Sequence, residues 1–174
     1  YEYFDKVVTG SIGSPSSSEY SYPMDSYTVT PGWTGSKVYG AGGAVKLGTA
    51  SLLGYLITPS INLATSGGSG NIKFNVQTYG SDAKPIQVLL STDGGTSWAQ
   101  LGSNIATTSA MVTQTVNFTN ASSTSKFKIT ATQASNGRFY LDTIIVTGSA
   151  PLPVELSSFS AYTEDGVVNL NWET

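Results

Sequence analysis

The chain has 174 residues and a net charge of −3, and only 11% of its residues are charged. It contains no Cys and no His, which excludes a Cys nucleophile, a Ser–His triad and an ordinary Cys/His zinc site. The chain has only eight Lys and Arg, so no nucleic-acid partner is expected. It has no apolar run of about 18 residues, so no membrane span is expected.

Short segments that alternate apolar and polar residues dominate the chain and predict an all-β fold. The clearest runs over residues 71–80, where Ile72, Phe74 and Val76 share one face. About ten such segments, separated by turn residues, predict a two-sheet antiparallel β-sandwich, a jelly roll, over residues 1–149. The predicted strands are YEYFDKV, GSKVYG, AVKLG, GYLITP, NIKFNVQTYG, PIQVLLST, SWAQLG, MVTQTVNF, SKFKITAT and RFYLDTIIVTG.

Residues 10–33 form a long segment rich in Ser, Pro and Tyr. One interpretation is a loop that wraps over an edge of the sandwich. The other is a recognition loop that presents Tyr20, Tyr22 and Tyr27, since long loops on rigid scaffolds often carry function.

Residues 91–98, STDGGTSW, have the Ser-x-Asp-x-Gly-x-x-Trp spacing of the Asp-box hairpin found repeatedly in sialidase propellers. The adjacent glycines and the Asp93 carboxylate suit a tight turn, with Trp98 packed over its base. A sialidase needs several arginines and several copies of the hairpin, whereas this chain has one copy and one arginine, Arg138. The motif is therefore interpreted as a structural turn. Arg138 is expected to pair with Asp93, to bind a ligand carboxylate, or to remain solvated.

The composition changes near residue 150, where Pro151 and Pro153 predict an extended linker. The segments VELSSFSAY and GVVNLNWET then read as two strands joined by a turn at Asp165 and Gly166. Two strands are not stable alone, so residues 150–174 are expected to be a linker and the truncated start of a second, Ig-like domain. Its strands would pack on the first domain, pair with a neighbouring chain, or stay mobile.

Four segments resemble motifs of the choice-of-anchor J, cleaved-adhesin and MAM-like family of secreted modules. They are PGWTGSKVYGAGGAVKLG (31–48), GYLITPSINLA (54–64), VLLSTDGGTSWAQLG (88–102) and GRFYLDTIIVTG (137–148). The resemblance covers about residues 1–148 and implies a galactose-binding-like jelly roll. Residues 152–174 are similar to the region before the sorting segment of type IX-secreted proteins, which implies a secreted or surface-attached multidomain parent. Thr143 departs from the family, which usually has a second Asp there.

Asp142 lies in the middle of the last strand of the sandwich, in a largely apolar run. The residues expected on its face are Tyr140, Ile144 and Val146. A buried carboxylate is costly unless it is paired or binds a metal. Relatives of this fold often hold structural Ca²⁺ where the first strand meets the last, so Glu2 or Asp5 would join Asp142 as oxygen ligands. The alternative is that Asp142 accepts hydrogen bonds or pairs with a lysine.

Trp33, Tyr39 and Trp98 are the candidate ligand-binding residues, because flat aromatic rings beside polar groups suit the apolar face of a sugar. The alternative is that each ring packs over a turn or closes an end of the sandwich.

The resemblance implies a non-catalytic module that binds a polysaccharide, or a cell-surface glycan or protein, for a larger adhesive or enzymatic protein. A structural spacer or adhesin repeat without a ligand is the alternative. A glycan-cleaving enzyme is less favoured. It would need two carboxyls about 5–10 Å apart, and no two of the eleven carboxylates share a strand face.

Overall fold

The computed structural model describes residues 1–20, 23–149 and 158–173. Ten strands form two five-stranded antiparallel sheets, which confirms the predicted all-β sandwich. A three-residue 3-10 turn, Ala64–Ser66, is the only helix in these ranges, and it is far too short to cross a bilayer. The strands of the sandwich are β1 (Thr34–Ser36), β2 (Val38–Gly40), β3 (Val45–Leu47), β4 (Tyr55–Ile57), β5 (Gly70–Thr78), β6 (Ile86–Ser91), β7 (Ala99–Ile105), β8 (Val112–Phe118), β9 (Lys126–Ala131) and β10 (Phe139–Gly148).

The first sheet has the strand order β1-β4-β9-β6-β7, and the second sheet has the order β2-β3-β10-β5-β8. Alternation places the core between them. On β5, Ile72, Phe74 and Val76 are fully buried, while Lys73 is exposed on the outer face. Burying each such side chain contributes about 1.5–3 kcal/mol, so the two inner faces hold the sandwich together.

The long segment of residues 10–33 wraps over the sandwich in its described part. Tyr20 is buried and stacks on Tyr27, with the ring centroids 3.9 Å apart, and Met24 is fully buried beside the core. The Tyr20 amide donates to the Val38 carbonyl on β2 at 2.7 Å. These contacts support the wrapping interpretation, although Tyr22 lies outside the described residues.

Two strand predictions need correction. The segment YEYFDKV is not a strand: it makes one isolated bridge, Glu2 with Ile144, because Phe4 has a left-handed backbone (φ 54°) and its carbonyl closes a turn with the Val7 amide. The segment GSKVYG is two strands. Lys37 adopts φ 54°, and this turns the chain from β1 in the first sheet to β2 in the second.

The last strand, β10, contains a β-bulge between Asp142 and Ile145, where Thr143 adopts φ 48°. The extra residue reverses the alternation. Before the bulge Asp142 faces outward, whereas after it Ile144 points into the core. The expectation that Tyr140, Asp142, Ile144 and Val146 share one face is therefore wrong.

The tail forms a separate two-stranded sheet of β11 (Ser158–Glu164) and β12 (Val167–Glu173). Asp165 (φ 51°) and Gly166 (φ 80°) form the turn that their sequence predicts. The hairpin is thus confirmed, and its assignment to a second Ig-like domain stays a prediction. The predicted linker prolines lie outside the described residues.

Candidate functional site

The outer face of the first sheet is open to solvent. Strand alternation turns Leu56 and Ile129 into the core, where they are buried, and turns Tyr55 and Lys128 outward, where they are only half-buried. Lys128 pairs with Ile57 on β4 and with Leu89 on β6 in the strand register. The Gln87 side chain of β6 also faces outward. The face therefore presents aromatic, aliphatic and hydrogen-bonding groups together.

One ammonium group joins two aromatic rings on this face. The Lys128 Nζ lies 4.4 Å from the ring centroid of Tyr55 and 5.8 Å from that of Trp98. Tyr55 comes from β4, and Trp98 comes from the β6–β7 hairpin at the other side of the sheet. We call these three residues the aromatic platform. Cation–π attraction holds Lys128 between the rings.

The β6–β7 hairpin fixes Trp98 in place. The Asp93 carboxylate accepts hydrogen bonds from the Ser97 hydroxyl at 2.6 Å, the Ser97 amide at 2.9 Å and the Thr96 amide at 3.0 Å. Hydrogen bonds from Ser97 lower the pKa of Asp93 well below its ordinary range. Trp98 Nε1 donates to the Gly95 carbonyl at 3.1 Å. The structure thus shows the predicted turn, with Trp98 half-exposed beside it.

The strands of this face carry uncharged and basic side chains. None of the five strands of the first sheet contains an Asp or a Glu. Glycoside hydrolysis requires a pair of carboxyls across the scissile bond, and these strands supply none. They do supply flat rings for stacking and amide and ammonium donors for hydroxyl groups.

The three predicted ligand-binding residues are not brought together. Trp98 lies on the platform. Tyr39 lies on the outer face of the second sheet, under the Lys46 ammonium. Trp33 is buried, with its ring centroid 6.2 Å from that of Phe4, and its Nε1 has no hydrogen-bond partner among the described residues. Trp33 also lines a cleft of about 330 Å³.

Sequence reasoning missed Tyr55 and Lys128. Alternation in GYLITP and SKFKITAT places each of them on an outward face, and this pattern could have identified both as surface-exposed candidates. Their meeting depends on the neighbouring positions of β4 and β9, which local sequence does not reveal.

The Glu2 carboxylate, one of the predicted metal ligands, accepts hydrogen bonds from the backbone. Glu2 is fully buried, and its two carboxylate oxygens accept hydrogen bonds from the Phe4 amide at 2.9 Å and the Val29 amide at 2.8 Å. Burial raises the pKa of Asp142, and the charge of Asp5 adds to this shift. No group of three acidic residues that could hold a metal occurs in the described ranges. Calcium binding therefore stays a prediction.

Arg138 pairs with Asp82 and not with Asp93. Its Nε donates to Asp82 Oδ2 at 2.8 Å, and its Nη2 donates to Oδ1 at 2.9 Å. Its backbone amide also donates to Oδ2 at 2.9 Å. Asp82 is almost fully buried, so this fork neutralises a carboxylate inside the fold.

No family model and no curated protein matches the chain. Solved structures are similar to it. CBM29_1, a family 29 carbohydrate binding module from Piromyces equi, has a TM-score of 0.53 at 16% identity and covers 70% of this chain and 83% of its own. The CBM22-1 xylan-binding domain from Paenibacillus barcinonensis Xyn10C has a TM-score of 0.52 at 15% identity, covering 70% and 89%. A family 16 carbohydrate binding module has a TM-score of 0.50 at 16% identity, covering 76% and 97%. These similarities support the jelly-roll fold.

Proposed function

We propose that the protein is a non-catalytic carbohydrate-binding module whose aromatic platform holds a polysaccharide. The observation that carries this proposal is the pair of half-exposed rings, Tyr55 and Trp98, around the Lys128 ammonium on an open sheet face. Apolar faces of sugar rings stack on such aromatic rings. Lys128 and Gln87 donate hydrogen bonds to the sugar hydroxyls.

The platform suits an oligosaccharide more than a single sugar. Tyr55 belongs to β4 and Trp98 borders β7, with β9 and β6 between them in the sheet. A ligand that contacts both rings therefore crosses two strands, which lie about 4.8 Å apart. This favours a linear polymer. Xylan is the first candidate, because a structure of the same fold is named as a xylan-binding domain.

A binding role, and not catalysis, is supported by the lack of carboxylates on the first sheet and by the names of the similar structures. The motif resemblance adds that the module is secreted or displayed on the cell surface, as part of a larger type IX-secreted protein. A structural Ca²⁺ held by Asp142 with Glu2 or Asp5 belongs to the same set of expectations. A spacer or adhesin repeat without a glycan ligand is the competing function.

Affinity gel electrophoresis tests the proposal. Migration of the wild type should be retarded in gels that contain soluble xylan, mannan or mixed-linkage glucan. Tyr55→Ala should weaken this retardation at least tenfold in apparent Kd. Tyr162→Ala, which removes an exposed tyrosine of the tail hairpin, is the matched control and should leave it unchanged.

Three results would count against the proposal. No retardation in any gel would favour the spacer. Equal retardation of Tyr55→Ala and wild type would show that the aromatic platform is not the binding site. Release of reducing sugar would show that the protein is an enzyme.

A further inference from the structure

A lysine on the outer face of the second sheet is nearly buried. Lys46, on β3, is 8% exposed, and its Nζ lies 3.6 Å from the ring centroid of Tyr39. It makes no hydrogen bond or ion pair within the described residues. Glu19, the carboxylate with an electrostatic effect on Lys46, forms its ion pair with Lys37 at 2.8 Å.

A second cation, Arg138, contacts the same tyrosine ring as Lys46. The Arg138 guanidinium carbon lies 4.4 Å from the ring centroid of Tyr79, and Lys46 Nζ lies 5.8 Å from the same centroid. Arg138 uses Nε and Nη2 for Asp82, so its Nη1 group remains for another acceptor. We call Lys46, Arg138, Tyr39 and Tyr79 the cationic cluster.

The charge of Lys46 is costly to the fold. Burial, and after it the nearby charge of Arg138, together lower the pKa of Lys46 to about 8. A methionine would fill the same space without an ammonium to desolvate. The whole chain is acidic, at −3, yet this face brings two cations to one tyrosine ring. The Tyr39 and Tyr79 rings give the ammonium cation–π contacts but no counter-charge, which an anionic ligand would supply.

A cleft of about 280 Å³ adjoins the cationic cluster at Tyr79, whose ring packs on that of Tyr140 in the wall of the cleft. Its walls are held by hydrogen bonds: the Gly13 amide donates to the Tyr140 hydroxyl at 2.8 Å, and the Gln77 side chain donates to the Ser109 carbonyl at 2.8 Å. The cleft has aromatic and polar walls, as small-ligand sites have, and its volume is slightly below their range of about 300–1,000 Å³. This suits one sugar ring.

We propose that the cationic cluster binds the carboxylate of an acidic sugar, a uronic acid unit of a polysaccharide, with the sugar ring in the adjoining cleft. The ligand class rests on the proposed function, but the site is on the opposite sheet from the aromatic platform. The module would then contact an acidic polymer at one face and a neutral polymer at the other.

Isothermal titration of sodium glucuronate and of oligogalacturonate into the wild type tests this proposal at pH 6.5. Lys46→Met should weaken binding at least tenfold. Lys73→Met, which removes an exposed lysine of the same sheet face, is the matched control and should stay within twofold. Tyr55→Ala should leave uronate binding intact, so failure here is distinguishable from failure of the platform.

The pH profile of the wild type gives a readout that needs no variant. The groups that face Lys46 are Arg138, Glu19 and the tyrosines Tyr39, Tyr79 and Tyr140. Lys46 carries its charge below a pKa of about 8, so uronate binding should hold at pH 6.5 and be mostly lost by pH 9.5. An ordinary lysine, with a pKa of 10.5, would remain charged there.

Several outcomes would overturn the proposal. These are no binding of any uronate, equal binding by Lys46→Met, a flat profile to pH 9.5, or competition by sodium sulfate as strong as by glucuronate at equal ionic strength. Loss of uronate binding in Tyr55→Ala would instead assign the acidic sugar to the platform, and would equally refute the cationic cluster.

Discussion

Replacing Glu2 with Ala is expected to destabilise the fold by about 2–4 kcal/mol, because two backbone amides lose the carboxylate that accepts their hydrogen bonds. The Phe4 amide is buried, and the Val29 amide is partly buried. A buried donor left without a partner costs about 1–3 kcal/mol, and the partly solvated Val29 amide lies at the lower end. For a chain of this size, each kcal/mol changes Tm by about 2–4 °C, so Tm should fall by roughly 5–15 °C.

Urea unfolding with and without EDTA separates this role of Glu2 from the predicted calcium site. If the carboxylate holds backbone amides, Glu2→Ala loses the same stability in EDTA as in Ca²⁺. Asp5→Ala, which removes an exposed carboxylate nearby, then has little effect. A change below about 0.5 kcal/mol in Glu2→Ala would refute the reasoning, since a change of that size is typical of surface sites. A wild-type Tm that falls in EDTA, with the fall absent in Asp142→Ala, would establish calcium instead.

Three further predictions concern stability. Hydrogen bonds hold the pKa of Asp93 well below 3.8, so the ionised carboxylate stabilises the fold above about pH 4, and this stabilisation is lost on further acidification. Asp93→Asn should therefore be less stable than wild type at pH 7. The urea midpoints of the two proteins should converge at lower pH, because protonation of Asp93 lowers the midpoint of the wild type. Burial raises the pKa of Asp142, so its charge destabilises the fold at neutral pH; in metal-free buffer Asp142→Asn should be the more stable at pH 7 and lose this advantage below about pH 4. A Cβ on Gly54 would lie 2.0 Å from the Gly48 backbone nitrogen; Gly54→Ala should therefore lower the free energy of unfolding by about 1–3 kcal/mol in the same assay.

Period-two alternation located most strands because each strand buries one face against the other sheet. The prediction for residues 71–80 agrees with β5, Gly70–Thr78, almost end to end. It failed where the backbone leaves regular geometry. Lys37 and Thr143 adopt left-handed conformations that glycine usually takes, so neither the sheet crossing nor the bulge has an obvious sequence signal.

The candidate site was predictable only in part. The Asp-box spacing identified Trp98 and its turn from eight consecutive residues, because the hydrogen bonds of Asp93 and of the Trp98 ring are local. Tyr55 and Lys128 come from segments separated by about seventy residues, and they meet only through the pairing of β4 with β9. The partner of Arg138 is similarly distant: Asp82 lies 56 positions earlier in the chain.

Calorimetric titration of soluble xylan and mannan oligosaccharides into the wild type and into a Tyr55→Ala/Trp98→Ala variant tests polysaccharide binding by the aromatic platform most directly. The wild type should show saturable heat for at least one polymer. The double variant, checked for an intact fold by circular dichroism, should bind at least a hundredfold more weakly, about 2.7 kcal/mol. Equal affinity in a folded double variant, or no heat from any neutral polymer with the wild type, would contradict it.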